Sequence, residues 1–303
     1  MNILVTGSNG LIGSHLVDFL LQKNLRVIGV DMNQPKEGLP HFSFEQGSVD
    51  DFPFLASVLK KYKIDKIIHG GGISHPKGFE NSPPNKIINT NIVGTSNVLE
   101  AGRLFDVQQI VYLSSAAVYG NNKNTSLNER VLPTPASIYG VTKVTGEYLA
   151  RVYFEKYRIM TTSLRLPFVY GPGRVTHDPI KYMLEKALNN ENVIENTGLD
   201  QNLEYIYVKD VVNAIWLTIT SNNANGLTLN IGNGSLTNSK EIIAVLNQLF
   251  PNTVFELGPG DFGYDEISPL DGTKAREVLK FKPSYSIEDG INEYHDFLKK
   301  SCS

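Results

Sequence analysis

Asn2-Ile3-Leu4-Val5-Thr6-Gly7-Ser8-Asn9-Gly10-Leu11-Ile12-Gly13 opens the chain and decides how the rest is read. The first five residues are a short, mostly apolar run that reads as a strand covered on both faces. Residues 11–23 then set Leu11, Ile12, His15, Leu16, Phe19 and Leu20 at helical spacing. In the turn between them Gly7 permits the tight bend and Gly10 lets the backbone approach a pyrophosphate. Gly13 lets the helix pack closely on the strand. Asn9, Leu11 and Ile12 complete the loop, and the helix N-terminus offers free N–H groups and a positive dipole end to phosphates. Glycine spacing alone is a weak signal. It gains weight from the strand before it, the helix after it and an acid, Asp31, 18 residues beyond Gly13.

Outward from this turn, strand-like and helix-like stretches alternate. Strands are expected at Leu25 to Val30, His41 to Glu45, Lys66 to His69, 109–114 and 160–165, with helices at 50–62, 85–105 and 137–157. Continuous apolar strands alternating with amphipathic helices predict an α/β fold, a doubly wound, Rossmann-like parallel sheet. After Pro167 the rhythm changes at Gly171-Pro172-Gly173. Helices are expected at 178–190 and 209–221, and strands near 204–207 and 228–232 are expected to return to the main sheet. Two or three more helices should follow residue 236. The expected division is a cofactor domain of residues 1–165 plus about 204–234, and a smaller, discontinuous C-terminal substrate lobe of about 166–203 plus 235–303.

The 303 residues supply about two domains' worth of chain, with 41% hydrophobic and 19% charged residues, which excludes disorder and coiled coil. Lys plus Arg number 28 against 31 Asp plus Glu, and no basic run exceeds two residues, so neither nucleic acid nor an anionic membrane is expected as a partner. The one cysteine, Cys302, can form no intrachain disulfide, and no metal site is expected. No apolar stretch reaches membrane-spanning length, and the first strand leaves no room for a signal peptide, so a soluble cytoplasmic protein is expected.

Asp31 closes the second strand, where a carboxylate accepts from adenosine ribose hydroxyls and repels a 2′-phosphate. NAD is therefore expected over NADP, although Lys36 lies nearby in sequence. Ser48 and Val49 should flank the adenine, and Gly70-Gly71-Gly72 offers a side-chain-free surface for the ribose and nicotinamide. Tyr139 and Lys143 stand at i and i+4 on one helix face. A fixed ammonium favours phenolate and so suits the phenol to proton exchange with an alcohol or carbonyl oxygen. Tyr119 and Lys123 share the spacing, but Gly120-Asn121-Asn122 between them is turn-like, so spacing alone does not single out the site. Ser115 ends a strand at the sheet's carboxyl edge, where a hydroxyl can donate to a substrate oxygen or merely satisfy backbone. His69 reads as a satisfied strand-end histidine, and Trp216 and Tyr112 as core.

Together Gly7 to Gly13, Ser115, Tyr139 and Lys143 have the order and intervals of the extended short-chain dehydrogenases/reductases. Asn89-Thr90-Asn91-Ile92-Val93-Gly94-Thr95, Leu113 to Gly120, Leu164 to Gly173 and Tyr207-Val208-Lys209-Asp210-Val211 carry the likeness along nearly the whole chain. The sequence resembles the NAD-dependent epimerase/dehydratase branch. The resemblance implies Tyr139 as acid/base, Lys143 on the nicotinamide ribose, Ser115 polarising the reacting C–O bond, and Asn91 and Pro167 beside the cofactor. Ala116 and Ala117 stand where dehydratases of that family carry an Asp-Glu pair, so dehydration is not expected. Phe168 and Leu203 stand where nucleotide-sugar epimerases hold diphosphate with Asn and Arg, and Phe262 to Asp271 contains no base. His75, Lys77, Arg174 and His177 are the candidate replacements, joined by Ser115 and Phe168 as substrate contacts. The leading expectation is hydride transfer at a secondary alcohol or ketone of a sugar-like small molecule. The alternatives are a UDP-sugar 4-epimerase and, less favoured, a non-catalytic dinucleotide sensor. The resemblance also implies a homodimer through the helices at 85–105 and 137–157.

Overall fold

The computed structural model describes residues 1–35, 41–74, 83–123 and 126–301, with Ser301 described by its backbone alone. Seven strands, β1 (Asn2–Thr6), β2 (Arg26–Asp31), β3 (Phe42–Gln46), β4 (Lys66–His69), β5 (Gln109–Ser115), β6 (Met160–Leu166) and β11 (Thr228–Asn230), form one sheet in the order β11-β6-β5-β4-β1-β2-β3. Every pairing in it is parallel. Their near-continuous burial follows from helices on both faces. α1 (Leu11–Gln22) and α7 (Val208–Thr220) pack on one face through Leu16, Leu20, Val211 and Ile215. α2 (Phe52–Tyr62), α4 (Gly94–Leu104) and α5 (Ile138–Tyr157) cover the other through Leu55, Leu59, Leu99 and Ala150. The strand order reverses between β1 and β4, which opens a crevice at their carboxyl ends, where ligands bind in such sheets.

The helix expected over 85–105 is interrupted. α3 (Pro84–Ile88) leads into a π turn, Asn89–Val93, before α4 resumes the α spacing. Single π turns inside helices often mark functional sites, and Thr90 of this one faces the crevice. The strand expected near 204–207 does not join the main sheet. β10 (Tyr205–Tyr207) pairs instead with β7 (Phe168–Tyr170) in a separate two-stranded sheet. Pro167 has no N–H to give a ladder, the chain leaves β6 there, and β10 pairs with β7 outside the main sheet. β11 does return to the edge, against β6.

Short strands that the sequence did not announce, β8 (Val193–Glu195) with β13 (Phe255–Leu257) and β9 (Asn202–Leu203) with β12 (Thr237–Asn238), stitch the remaining loops together. α6 (Pro179–Leu188), α8 (Ser239–Leu249), α9 (Thr273–Leu279) and α10 (Ile287–Ser301) complete the chain. One apolar cluster runs from Ile3 and Leu16 through Ile215 to Ile242, Leu246, Ile291 and Tyr294, so these helices share their core with the sheet. Among the described residues no helix is long and apolar enough to cross a membrane.

Candidate active site

A single cleft of about 850 Å³ follows the carboxyl edge of the sheet across the switch point. That size is at the large end of small-molecule sites, which span roughly 300–1,000 Å³. Gly7, Gly10, Leu11, Ile12, Gly13, Asp31, Ser48, Val49, Gly70, Gly71, Gly72 and Pro167 all line it. Gly7 has φ +72°, and a Cβ there would lie 2.8 Å from the backbone of Gly70. A Cβ on Gly13 would sit 2.0 Å from the Gly7 carbonyl oxygen, so α1 meets the turn at a distance only glycine allows. Gly10 N-caps α1 with no side chain, which leaves the first-turn N–H groups facing the cleft. The Asp31 carboxylate is aimed by the loops themselves: Oδ2 accepts from the Asn9 amide at 3.0 Å and Oδ1 from the Asn33 amide at 3.0 Å. A cradle that a Cβ would fill, an open helix N-terminus and a fixed carboxylate fit a dinucleotide's pyrophosphate and ribose.

Two expected cofactor contacts act from behind the cleft wall. Asn9 does not line the cleft; its backbone fixes Asp31, and its side-chain amide donates to the Asn33 carbonyl. Asn91 is buried away from the cleft, with Oδ1 accepting from Ile73 N at 2.7 Å. Its Nδ2 donates to Ile73 O at 3.0 Å and to Thr142 Oγ1 at 3.1 Å. It therefore ties the loop after β4 to α5, and its amide is already spent.

Opposite the glycine loop stand the chemical groups. Ser137 N-caps α5 through Gly140 N at 3.1 Å, so the helix begins just before Tyr139. α5 lies tight on β5, since a Cβ on Gly146 would come within 2.3 Å of Tyr112 Oη. This close packing brings Lys143 under the sheet edge. Its Nζ donates to Leu113 O at 2.8 Å and lies 5.0 Å from the Tyr112 ring centre and 5.5 Å from that of Tyr139. Burial pulls the ammonium down to about 8, against the opposing charge of Glu147. Ser115 Oγ accepts from Ala117 N at 3.2 Å and is hydrogen-bonded to Tyr139. Burial raises the Tyr139 phenol above its ordinary range, while Ser115 and the Arg174 guanidinium pull it back. The sequence assigned that acidifying work to Lys143; in the folded chain Ser115 and Arg174 share it.

Tyr139 and Lys143 line the cleft, whereas Tyr119 and Lys123, at the same spacing, are not among its lining residues. Tyr119 Oη is buried, donates to Asn230 Oδ1 at 2.9 Å and accepts from Arg165 Nη1 at 2.7 Å, whereas Lys123 reaches out to Glu266 at 2.5 Å. His69 is satisfied as expected. Thr95 Oγ1 donates to Asn91 O, so it accepts from His69 Nε2 at 3.0 Å; His69 Nδ1 then accepts from Thr6 Oγ1 at 2.7 Å. Burial and the Lys143 charge hold that imidazole neutral, with its pKa near 3.

At the far end of the cleft Arg174 lies over the Phe168 ring at 4.2 Å and donates to Val169 O; its Nε has no partner among the described residues. His177 is not part of the lining and bonds Tyr264 Oη through Nδ1 at 2.7 Å. His75, Lys77 and Lys36 lie outside the described residues. Leu203, Glu204, Tyr264, Asp265, Ile267 and Ser268 join this end, most of them brought in by parallel bridges from Asn122 to Ile267 and Leu127 to Leu270. Glu204, buried beside Gly232, accepts from Gly234 N at 2.7 Å and Leu270 N at 2.8 Å, yet burial still lifts its carboxyl to about 7. The resemblance pointed to Leu203 and to Phe262 to Asp271 as positions at this end, whereas Glu204 was not singled out.

Residues 3–232 match the model of the NAD dependent epimerase/dehydratase family. The chain belongs to this family. It is thus an NAD-dependent enzyme. The chain is 30% identical to the UDP-glucose 4-epimerase of Mycolicibacterium smegmatis over 99% of both chains. A UDP-glucose 4-epimerase of Thermotoga maritima, solved with UDP-glucose, superposes with a TM-score of 0.90 at 28% identity, covering 100% of each chain. MoeE5, solved with UDP-glucuronic acid and NAD, gives 0.89 at 27% identity, covering 99% of this chain and all of its own.

Proposed function

We propose that this family member is an oxidoreductase that interconverts a secondary alcohol and a ketone on a sugar-like substrate. The observation that carries the reading is the convergence of Ser115, Tyr139 and Lys143 on one wall of the cleft, opposite the glycine loop. Bound NAD supplies the hydride acceptor and donor. The chain supplies the rest. Ser115, whose oxygen accepts from Ala117 N and whose hydroxyl is bonded to Tyr139, would turn its hydrogen from the phenol to the reacting oxygen when substrate binds. Tyr139 exchanges the hydroxyl proton at its phenol oxygen. Lys143 holds the nicotinamide ribose and adds positive charge beneath the phenol ring. Leu166, Pro167 and Phe168 keep water from that end. Asp31, followed directly by Met32, Asn33, Gln34 and Pro35 with no arginine among them, favours NAD over NADP. The cofactor domain is residues 1–165 plus about 208–234, and the remainder, with the β7–β10 pair, is the substrate lobe.

The relatives' own ligands favour a second reading, 4-epimerisation of a UDP-sugar, in which the same residues serve oxidation and then reduction. Phe168 and Leu203 at the far end of the cleft carry no charge and Asp265 is acidic, which supports the smaller, non-nucleotide substrate, with Arg174 as the cation there for a carboxylate or hydroxyls. Alanine at 116 and 117, both lining the cleft, leaves no acid and base there for dehydration. Ile88, Val93, Leu104, Val141, Tyr148, Val152 and Tyr157 are exposed apolar residues on α3 to α5, which suits pairing with a second copy as a homodimer. A single cysteine suits the reducing cytoplasm.

A panel of free sugars, sugar acids, UDP-glucose and UDP-glucuronic acid tests the substrate, reading NADH formation and product configuration. NADH accumulation with a free sugar or sugar acid is expected. Inversion of a UDP-sugar with no added NAD establishes the second reading instead. No NADH and no inversion across the panel counts against both. Sedimentation that gives a monomer removes the dimer.

A further inference from the structure

We infer that Glu147 is a positioning residue for Lys143: a buried carboxylate, one helical turn beyond the lysine, that locks α5 to the sheet and sets a negative charge on the lysine's own helix face. The inference rests on the proposed role of Lys143 at the cofactor.

Glu147 is 8% exposed and Arg165, on β6, is 4% exposed. They meet in a two-pronged pair, Arg165 Nε to Glu147 Oε1 at 2.9 Å and Arg165 Nη2 to Oε2 at 2.7 Å. Ser114 Oγ, next to the candidate Ser115 on β5, donates to Oε1 at 2.5 Å. Arg165 also donates to Tyr119 Oη, which reaches Asn230 on β11. One carboxylate thus ties the helix carrying Tyr139 and Lys143 to the strand ending in Ser115 and to the strand leading into Pro167. Those elements hold all three candidate chemical groups, so their mutual distances depend on this knot.

A buried pair of this kind is an expensive way to hold a helix, and apolar replacements often serve stability as well or better. Its retention here calls for a use. The surroundings of Lys143 supply one. On its own helix it faces Tyr139 and Glu147; from β5 come the Tyr112 ring and the Leu113 carbonyl; from β4 comes neutral His69; the Arg165 guanidinium of β6 is held on Glu147. Among these described groups the anion is Glu147. The Arg165 fork and Ser114 hold its carboxylate in place through three hydrogen bonds. Tyr139, Lys143 and Glu147 follow one another at i, i+4 and i+8, so the three share a helix face.

The test measures NAD affinity of the full chain against pH, with thermal melts to confirm folding. The wild type is expected to hold NAD evenly up to a break near pH 8, where burial places the Lys143 ammonium, and to lose affinity above it. Lys143→Met should abolish the break. Glu147→Gln should move it down by about one pH unit. Glu147→Asp, which withdraws the carboxylate by one methylene and is the gentler change, should move it less in the same direction. Arg165→Lys disrupts the same ion pair but leaves the carboxylate, so its break should stay near the wild-type position while its melting temperature falls. A purely structural pair would lower melting temperature in all three and shift no break. An unmoved break in both Glu147 variants, or an equal shift in Arg165→Lys, overturns the inference while leaving Lys143 at the cofactor. A wild type with no break removes that contact, and the inference falls with it.

Discussion

Gly146→Ala tests whether the fit of α5 on β5 sets the chemistry. The added methyl would stand 2.3 Å from Tyr112 Oη, 2.4 Å from Cζ and 2.7 Å from Cε1. Carbon atoms in contact prefer about 3.5–4.0 Å, so ring and helix must part by roughly 1 Å. Tyr112 cannot retreat, being 2% exposed with its ring 5.7 Å from that of His69 and under the Lys143 ammonium. The helix must therefore yield, taking Lys143 and Tyr139 with it. Overpacking costs about 1–3 kcal/mol, and alanine returns up to about 1 kcal/mol through its better helix propensity. The net loss is about 0–3 kcal/mol, a fall in melting temperature of a few degrees. A displacement of about 1 Å at reacting groups can cost roughly a hundredfold in rate. Melting temperature and turnover, measured together on the best substrate of the panel, should thus separate: a small change in the first and about a hundredfold loss in the second. Turnover within about threefold of wild type would show that this contact does not set the geometry of the site.

The other variants test the cofactor cradle and the buried charges. Gly13→Ala, whose methyl would lie 2.0 Å from the Gly7 carbonyl oxygen, should weaken NAD binding by at least about tenfold, and Gly10→Ala, with its nearest atom at 3.3 Å, by less; titration of NAD against each checks the order. Lys143→Met should stabilise the fold at pH 7. The ammonium's folded pKa, about 8, lies below the unfolded value near 10.5, so its burial costs stability below pH 8 and the cost fades as pH rises towards 10.5. The gain at pH 7 is about 2 kcal/mol after the lost bond to Leu113 O, and denaturant melts at pH 7 and pH 10 should show it shrinking. Glu204 is the acid counterpart, raised to about 7, so the native state holds a proton that the unfolded chain releases. Relative to Glu204→Gln, the wild type should therefore gain stability as pH falls from about 7 to about 4.5, by up to about 3 kcal/mol; a difference independent of pH would contradict the burial argument.

The first sheet and its glycine turn were legible because their signals are local. A period of two or of 3.6, three spaced glycines and an acid at the end of the next strand all lie within one βαβ unit. β1, α1, α5 and β5 accordingly fall within a residue or two of expectation. The strand at 205–207 was misplaced because partner choice is a long-range matter, decided by where the chain turns after Pro167. The far end of the cleft was legible in part, through Arg174 and the resemblance at Phe168 and Leu203, while Glu204, Tyr264 and Ser268 come from segments far in sequence from the glycine turn. Asn91 drew attention through the resemblance, but its amide serves Ile73 and Thr142, a role set by the π turn that no periodicity announces. Glu147 was within reach of sequence reading, one turn past Lys143, but its buried partner Arg165 sits on another element.

Turnover of Tyr139→Phe, set beside its NAD affinity, tests the central claim most directly. The substitution removes one oxygen and keeps the ring, so the cradle made by Gly7, Gly13 and Asp31 is untouched. Turnover should fall by about 10²–10⁴-fold, the range a positioned acid/base contributes, while NAD affinity stays within about threefold of wild type. Turnover close to wild type would take the proton away from Tyr139 and contradict the account.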